Sequence, residues 1–281
     1  MAEASVIFAE SASEAWTPPV TALATARAAA RGAILTATAS VFRGPSRFLR
    51  CLYAHAVFPE HRLKFRAVIR GLKNNGEFVT TETVRDMVRH GRQPDGRYYH
   101  LSFDDGFANV FEAGCEVLVA ERVPATIFVV PAFVNASPGE LEAYFHRLPA
   151  YRQPIRVMTW AQVRQAVDAG IEIGSHTLSH ARLAEISSDA ACLRAEVGGS
   201  RVAIEAATGV PCRAFAWPYG TMQDIDEAGF AAIEQAGYEI AFSAVRGRVD
   251  GYTGLFRVPR HQLEFHWPES HIRLWARGFR E

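Results

Sequence analysis

Residues 159–180 read TWAQVRQAVDAGIEIGSHTLSH. The first twelve carry the apolar spacing of an amphipathic helix and close at Gly170, a helix stop. IEIGS follows as a short β-like run, and a polar segment with two histidines comes after it. A helix that feeds a strand is one unit of a parallel sheet, and in such sheets chemistry belongs at the C-terminal ends of the strands. The same alternation runs along the chain without any sequence repeat. β-like runs stand at FLRCLYAHAV, RYYHLSF, ATIFVVPAFV, IEIGSH, CRAFAWP, EIAFSAV and LFRVPR. Between them lie helical patterns: in FRAVIRGLKNNG, Phe65, Val68, Ile69 and Leu72 recur at i, i+3, i+4 and i+7, and Asn-Asn-Gly supplies the stop. About seven strands alternating with helices predict a parallel α/β fold, with a barrel favoured over an open sheet.

Composition bounds the rest. With 281 residues, 49% of them hydrophobic and 30 basic residues balancing 30 acidic ones, the chain reads as one barrel-sized globule, and nothing global points to nucleic acid. Cys51, Cys115, Cys192 and Cys212 form no CxxC pair, which argues against a zinc ribbon and a disulfide framework and fits a reducing compartment. The opening MAEASVIFAESASEAWTPP lacks a basic region followed by a long apolar core, so no secretory signal is read and a cytoplasmic location is expected. After Pro18 and Pro19 comes an alanine-rich run charged only by arginines, broken by Gly32 and closed by Gly44 and Pro45. It is too weakly apolar to span a bilayer. Residues 1–48 are therefore expected to be an extension, partly helical or disordered, ahead of a barrel over 49–281, with membrane-surface association as the alternative use of its basic helix.

Polar residues gather where the predicted strands end. His55 closes the first run, Asp104 and Asp105 the second, His176 and His180 follow IEIGS, and Pro-Tyr-Gly at 218–220 follows RAFAW. Taken alone, Asp-Asp-Gly ahead of a helix is an ordinary turn with Asp105 or a neighbour as N-cap. His-x-x-x-His on a helical turn brings two imidazoles to one side, the spacing that a metal needs. A carboxylate and two imidazoles at successive strand ends make a facial N,N,O set with positions left for water, which structure alone explains poorly.

In that order, SFDDG, SHTLSH and FAWPYG resemble the first three motifs of the polysaccharide deacetylases, carbohydrate esterase family 4. The resemblance covers roughly residues 49–261, and TWAQVRQAVDAG is similar to the family's usual run-up to the second motif. It implies an irregular (β/α)7 barrel and a metal-dependent hydrolase that removes an N-acetyl group from an amino sugar in a polysaccharide or glycan precursor. Asp105, His176 and His180 are then expected to hold a divalent metal, zinc with cobalt or nickel as alternatives, and Asp104 to be the base. A bound cation would also explain two adjacent carboxylates. The backbone N–H of Tyr219 is the implied oxyanion donor.

Two departures from the family pattern carry expectations of their own. The acid histidine usually stands in a Leu-x-His motif near the C-terminus, whereas here the matching block, LYAHAVFPEHRLKFRAVIRGLKNNGEFVTTE, lies near the N-terminus. This reads as a circularly permuted barrel with His55 as the acid and His261 of VPRHQL as its competitor. The third motif carries Ala216 where an arginine is usual, and no Asp-x-x-Asp-Trp motif is visible, so Arg260 is expected to reach the base from the last strand. NASPGELEAYFHRLPAYRQP is read as a roof over the cleft, its Tyr144, His146 and Tyr151 contacting substrate or packing the loop. The expected partner is an N-acetylated sugar or glycan, such as a lipid-linked or nucleotide-linked intermediate. A small-molecule amidase and a non-catalytic glycan-binding relative are the rival readings.

Overall fold

The computed structural model describes residues 6–16, 22–148 and 150–279; Pro18 and Pro19 lie outside them. Its strands are β1 (Phe48–Ala54), β2 (Glu77–Phe78), β3 (Arg97–Phe103), β4 (Thr126–Val129), β5 (Glu172–Ser175), β6 (Ala214–Ala216), β7 (Ile240–Phe242) and β8 (Arg260–Gln262). Seven of them form a nearly closed barrel wall in the order β7-β6-β5-β4-β3-β1-β8, all parallel. The architecture is an irregular (β/α)7 barrel. Beside β3, β2 takes the lower edge at Tyr98 and Tyr99, and β4 takes the upper edge at Ser102 and Phe103. Every residue of β1, β4, β6 and β7 is buried, as expected where helices cover one face and side chains fill the other.

The helices follow their apolar spacing. Arg62–Lys73 buries Phe65, Val68, Ile69 and Leu72, and Trp160–Asp168 starts with a Thr159–Gln162 capping box and buries Val163 and Ala166. Two longer helices each contain a π-helical stretch, Val110–Cys115 and Ala195–Gly199, one after the Asp-Asp-Gly loop and one behind the histidine loop.

The termini depart from the simple pattern. In ATIFVVPAFV the strand stops at Val129, because Pro131 opens a short helix over Pro131–Asn135. In LFRVPR regular pairing with β1 begins only at Arg260, while the segment before it closes the barrel against β7 through Ala241 N to Leu255 O (2.8 Å) and Ser243 N to Val258 O (2.8 Å). β1 begins at Phe48, one residue ahead of the expected boundary. The alanine-rich helix Ala22–Val41 packs on the last helix, Glu269–Ala276, through buried Leu35, with His271 Nε2 3.0 Å from both the Gly32 carbonyl and the Thr36 hydroxyl. Among the described residues no helix is long and apolar enough to cross a membrane.

Candidate active site

Strand ends bring the polar residues to one pocket. His55 follows β1, Asp104 and Asp105 follow β3, His176 and His180 follow β5, and Tyr219 and Gly220 follow β6; with Arg260 they line one cavity of about 240 Å³. The backbone there is unusual. Five described residues other than glycine have positive φ, and four of them are Asp105 (69°), Thr177 (61°), His180 (62°) and Tyr219 (63°). Such conformations cost of order 1–3 kcal/mol each and cluster at functional sites. They also replace the expected geometry of the histidine pair: 176–182 is a loop, not a helical turn, and its two left-handed residues fold His180 back beside His176. Glu196, in the π-helical stretch, fastens that loop by accepting hydrogen bonds from Ser179 N (2.9 Å) and Ser179 Oγ (2.6 Å). Gly220 (φ 74°) is required as glycine, since a Cβ there would stand 2.3 Å from that of Ala244. The chain does turn at Asp105 and Gly106, as expected, but among the described hydrogen bonds neither aspartate caps the following helix.

Asp105, His176 and His180 form the one group of three or more His, Cys, Asp and Glu residues, among the described residues, with ligand atoms all within 4.8 Å of one another. Asp105 Oδ1 lies 3.6 Å from His176 Nε2 and 3.3 Å from His180 Nε2. Ligand atoms about 2.0–2.1 Å from a tetrahedral ion are separated by about 3.3 Å, so the set fits a small divalent cation. Both Nε2 atoms are turned to the site because both Nδ1 atoms are engaged elsewhere. His176 Nδ1 donates to the Ala216 carbonyl (2.6 Å), and His180 Nδ1 lies 2.5 Å from the Tyr144 hydroxyl. Burial lowers the His176 pKa to about 4, leaving it neutral. Burial pushes Asp105 up, but the hydrogen bond and charge of His180, with His55 and His176, hold it well below the carboxylate range.

Asp104 and His55 carry the other charges. Burial alone would raise Asp104, yet Arg260 holds it below its ordinary value through two parallel bonds, Nη1 to Oδ1 (2.7 Å) and Nη2 to Oδ2 (2.8 Å). Arg260 is fully buried, but its charge is satisfied: Nε donates to Ser243 O (2.8 Å), Nη1 to Ser102 Oγ (3.1 Å), and the guanidinium lies 4.4 Å from the Tyr53 ring centroid. His55 Nδ1 is 2.8 Å from Glu264 Oε1. Burial pulls the imidazole pKa down, but the Glu264 charge and hydrogen bond outweigh it and raise it to about 9. Nothing in the sequence had singled out Glu264; it lies two residues past β8, and its only signal was position.

A family model described as "Polysaccharide deacetylase" matches residues 91–241, more than half of the chain. The chain belongs to the polysaccharide deacetylase family. It is 22% identical over 198 residues to a putative polysaccharide deacetylase, YxkH, of Bacillus subtilis (strain 168), a match spanning 70% of this chain but only 63% of that relative's length. Among solved structures it is similar to IcaB from Ammonifex degensii (TM-score 0.66, 20% identity, covering 83% of this chain and 98% of that one). It is also similar to the Streptococcus pyogenes deacetylase PplD in complex with acetate (TM-score 0.62, 15% identity, covering 82% and 97%). At these identities the likeness is one of fold.

Against the family pattern, the deacetylase barrel supplies its cation differently: Ala216 stands at the usual arginine position, and Arg260 of β8 meets Asp104. His261, the competitor of His55, does not line the pocket; alternation along β8 turns it away, with Nε2 3.0 Å from the Gly247 carbonyl. Of the three roof residues expected near substrate, Tyr144 and Tyr151 line the cavity, while His146 is exposed outside it. Tyr219 is 41% exposed at the rim, with the Arg182 guanidinium 4.0 Å from its ring centroid.

Proposed function

We propose that this deacetylase is a metal-dependent hydrolase that removes the N-acetyl group from an amino sugar in a glycan or glycan precursor. The observation that carries the reading is the Asp105–His176–His180 trio, with ligand atoms 3.3 and 3.6 Å apart, beside a buried ionised carboxylate and a cationic imidazole. These three residues would hold the cation, zinc by the chemistry of the donor set, with cobalt or nickel able to replace it. Such an ion acidifies a water and polarises a carbonyl.

The chain's own groups supply the remaining steps. Asp104, kept ionised and aligned by Arg260, accepts the water proton as the amide carbon is attacked. The backbone N–H of Tyr219 donates to the oxygen of the tetrahedral adduct. His55, protonated through Glu264, gives its proton to the departing amine, which a neutral imidazole could not do. Tyr144 and Tyr151 orient the sugar. In this reading the barrel is circularly permuted, with β1 supplying the acid usually found near the C-terminus.

Metal content and acetate release, measured on one preparation across a panel of N-acetylated sugars, test the proposal. One divalent ion per chain and acetate release abolished by a chelator are expected. Metal-loaded protein that binds sugars without releasing acetate would instead make it a glycan-binding relative, and release confined to non-sugar amides would make it a small-molecule amidase.

A further inference from the structure

The two imidazoles of the ligand trio are held by different means. His176 directly follows β5, and backbone groups fix it: its N donates to Val129 O (2.9 Å) and its Nδ1 to Ala216 O (2.6 Å), carbonyls of the strands on either side, β4 and β6. A carbonyl only accepts, so the His176 proton stays on Nδ1 and Nε2 keeps its lone pair for a cation. His180 has no such strands beside it. It ends a loop whose Thr177 and His180 are both left-handed, a backbone that persists only where the surroundings hold it.

Two side chains do the holding. Glu196 stands in the π-helical stretch Ala195–Gly199, where its carbonyl accepts from Leu178 N (2.9 Å). Its carboxylate closes with both oxygens on the residue just before His180, Oε2 accepting from Ser179 N (2.9 Å) and Oε1 from Ser179 Oγ (2.6 Å). Tyr144 comes from the other side, in the last turn of the helix Pro138–Phe145, which buried Leu141 and Phe145 anchor. Its hydroxyl lies 2.5 Å from His180 Nδ1, and its ring packs 4.6 Å from Phe133, which stacks on the His180 imidazole at 5.9 Å. A hydroxyl both donates and accepts. It therefore partners Nδ1 in either tautomer, accepting from Nδ1–H when Nε2 faces a cation and donating to Nδ1 when Nε2–H faces Asp105 Oδ1, 3.3 Å away. No other described hydrogen bond reaches that nitrogen.

Resting on the proposed metal-dependent reading, we infer that Tyr144 and Glu196 are positioning residues for His180. Tyr144, through its hydroxyl, fixes the direction in which the imidazole presents Nε2. Glu196 fixes the loop that carries it. Tyr144 thus has two separate tasks, its ring facing the sugar and its hydroxyl the ligand.

The test uses the full chain and three measurements: zinc Kd by competition with a chelator, the visible absorption bands of the cobalt-loaded protein, and the thermal midpoint of the metal-free protein. Tyr144→Phe keeps the ring and removes only the hydroxyl. It is expected to raise the zinc Kd about 10–100-fold, as for loss of a partner of a ligating histidine, and to alter the cobalt bands with the metal-free midpoint little changed. Glu196→Gln retains one of the two acceptors and is expected to raise Kd by a smaller factor. Tyr151→Phe, which changes a cavity tyrosine that meets neither imidazole among the described contacts, is expected to leave Kd within about twofold, since no partner of a ligand is lost. Zinc Kd and cobalt bands both unchanged in Tyr144→Phe would overturn the assignment of Tyr144, and an unchanged Kd in Glu196→Gln would overturn that of Glu196. A lower thermal midpoint with unchanged Kd in either variant would count against that residue in the same way, as the mark of a merely structural role. Wild-type protein that takes up no zinc would instead overturn the metal-dependent reading itself.

Discussion

The arc of strands β3 to β6 and the seam where β1 meets β8 feed the same pocket by opposite routes. The arc places Asp104, Asp105, His176, His180 and Tyr219 on tight loops directly after strands, three of these five in left-handed backbone conformations. Its ligand geometry is therefore a property of the backbone. The seam places His55, Arg260 and Glu264 on or beside regular strands and acts through ion pairs across long sequence separations, 156 residues between Arg260 and Asp104 and 209 between His55 and Glu264. In the proposed function, ligation would demand fixed geometry from the arc, whereas the seam sets charge and can do so from any strand that reaches. That freedom accounts for a cation on β8 where Ala216 occupies the usual position on β6.

The largest effect belongs to the arc. His176→Ala and His180→Ala are each expected to lose both the ion and all measurable hydrolysis, because two remaining ligands hold a cation poorly. Metal analysis after dialysis checks this, and full occupancy in either variant would end the assignment of the arc to ligation. Asp104 sits where the two regions meet, an arc residue whose charge is held from the seam. Asp104→Asn is expected to keep the ion and lose on the order of 10²–10⁴ in kcat, the worth of a positioned base. Asp105→Asn is expected chiefly to weaken metal retention. Equal metal loss in both variants would erase the distinction between ligand and base.

The two regions also differ in how much of them was legible. The arc's residues are neighbours in sequence, so SFDDG, SHTLSH and PYG could be read as strand ends, and the family match over 91–241 covers this region. What misled was local conformation: His-x-x-x-His fits a helical turn by spacing, and only the left-handed Thr177 and His180 show that a loop does the work. The barrel followed from the alternation of runs, since strands buried on both faces leave continuous apolar stretches. The seam was legible in part. His55 and Arg260 stood at predicted strand ends, and alternation along β8 separates Arg260, turned inward, from His261. Glu264 could not be found, because a lone carboxylate beyond a three-residue strand has no periodicity, and its partner is 209 residues away. The contact of the N-terminal segment with residues 152–156 was equally silent, since backbone bonds such as Ala9 N to Pro154 O leave no mark on residue types.

The smallest effect at neutral or lower pH, and the sharpest probe of the seam, comes from the His55–Glu264 pair. His55→Ala is expected to slow amides on the order of 10²-fold, as for loss of a general acid, and to spare activated aryl esters, whose leaving groups depart without a proton. Glu264→Gln should act only through the imidazole. In the wild type the His55 pKa is raised to about 9, so the working imidazolium persists through neutral pH and is lost as pH rises through that value. Without the carboxylate, burial is opposed only by the charges of Asp105 and Asp104, and the pKa falls. The alkaline limb of kcat for amides is then expected to move to lower pH. The rate should fall more at pH 8 than at pH 6, because the protonated fraction is lost first at the higher pH. Stability follows the same sign: a histidine whose folded pKa is raised contributes fully below its unfolded value and loses that contribution as pH rises through about 9, so wild type and Glu264→Gln should differ most in thermal midpoint near pH 6 and converge by pH 10. Ester hydrolysis should keep its pH profile in the variant. An amide profile unmoved by Glu264→Gln would show that the proton given to the amine is not the one held at His55, and the seam would then keep Arg260 as its only part in the chemistry.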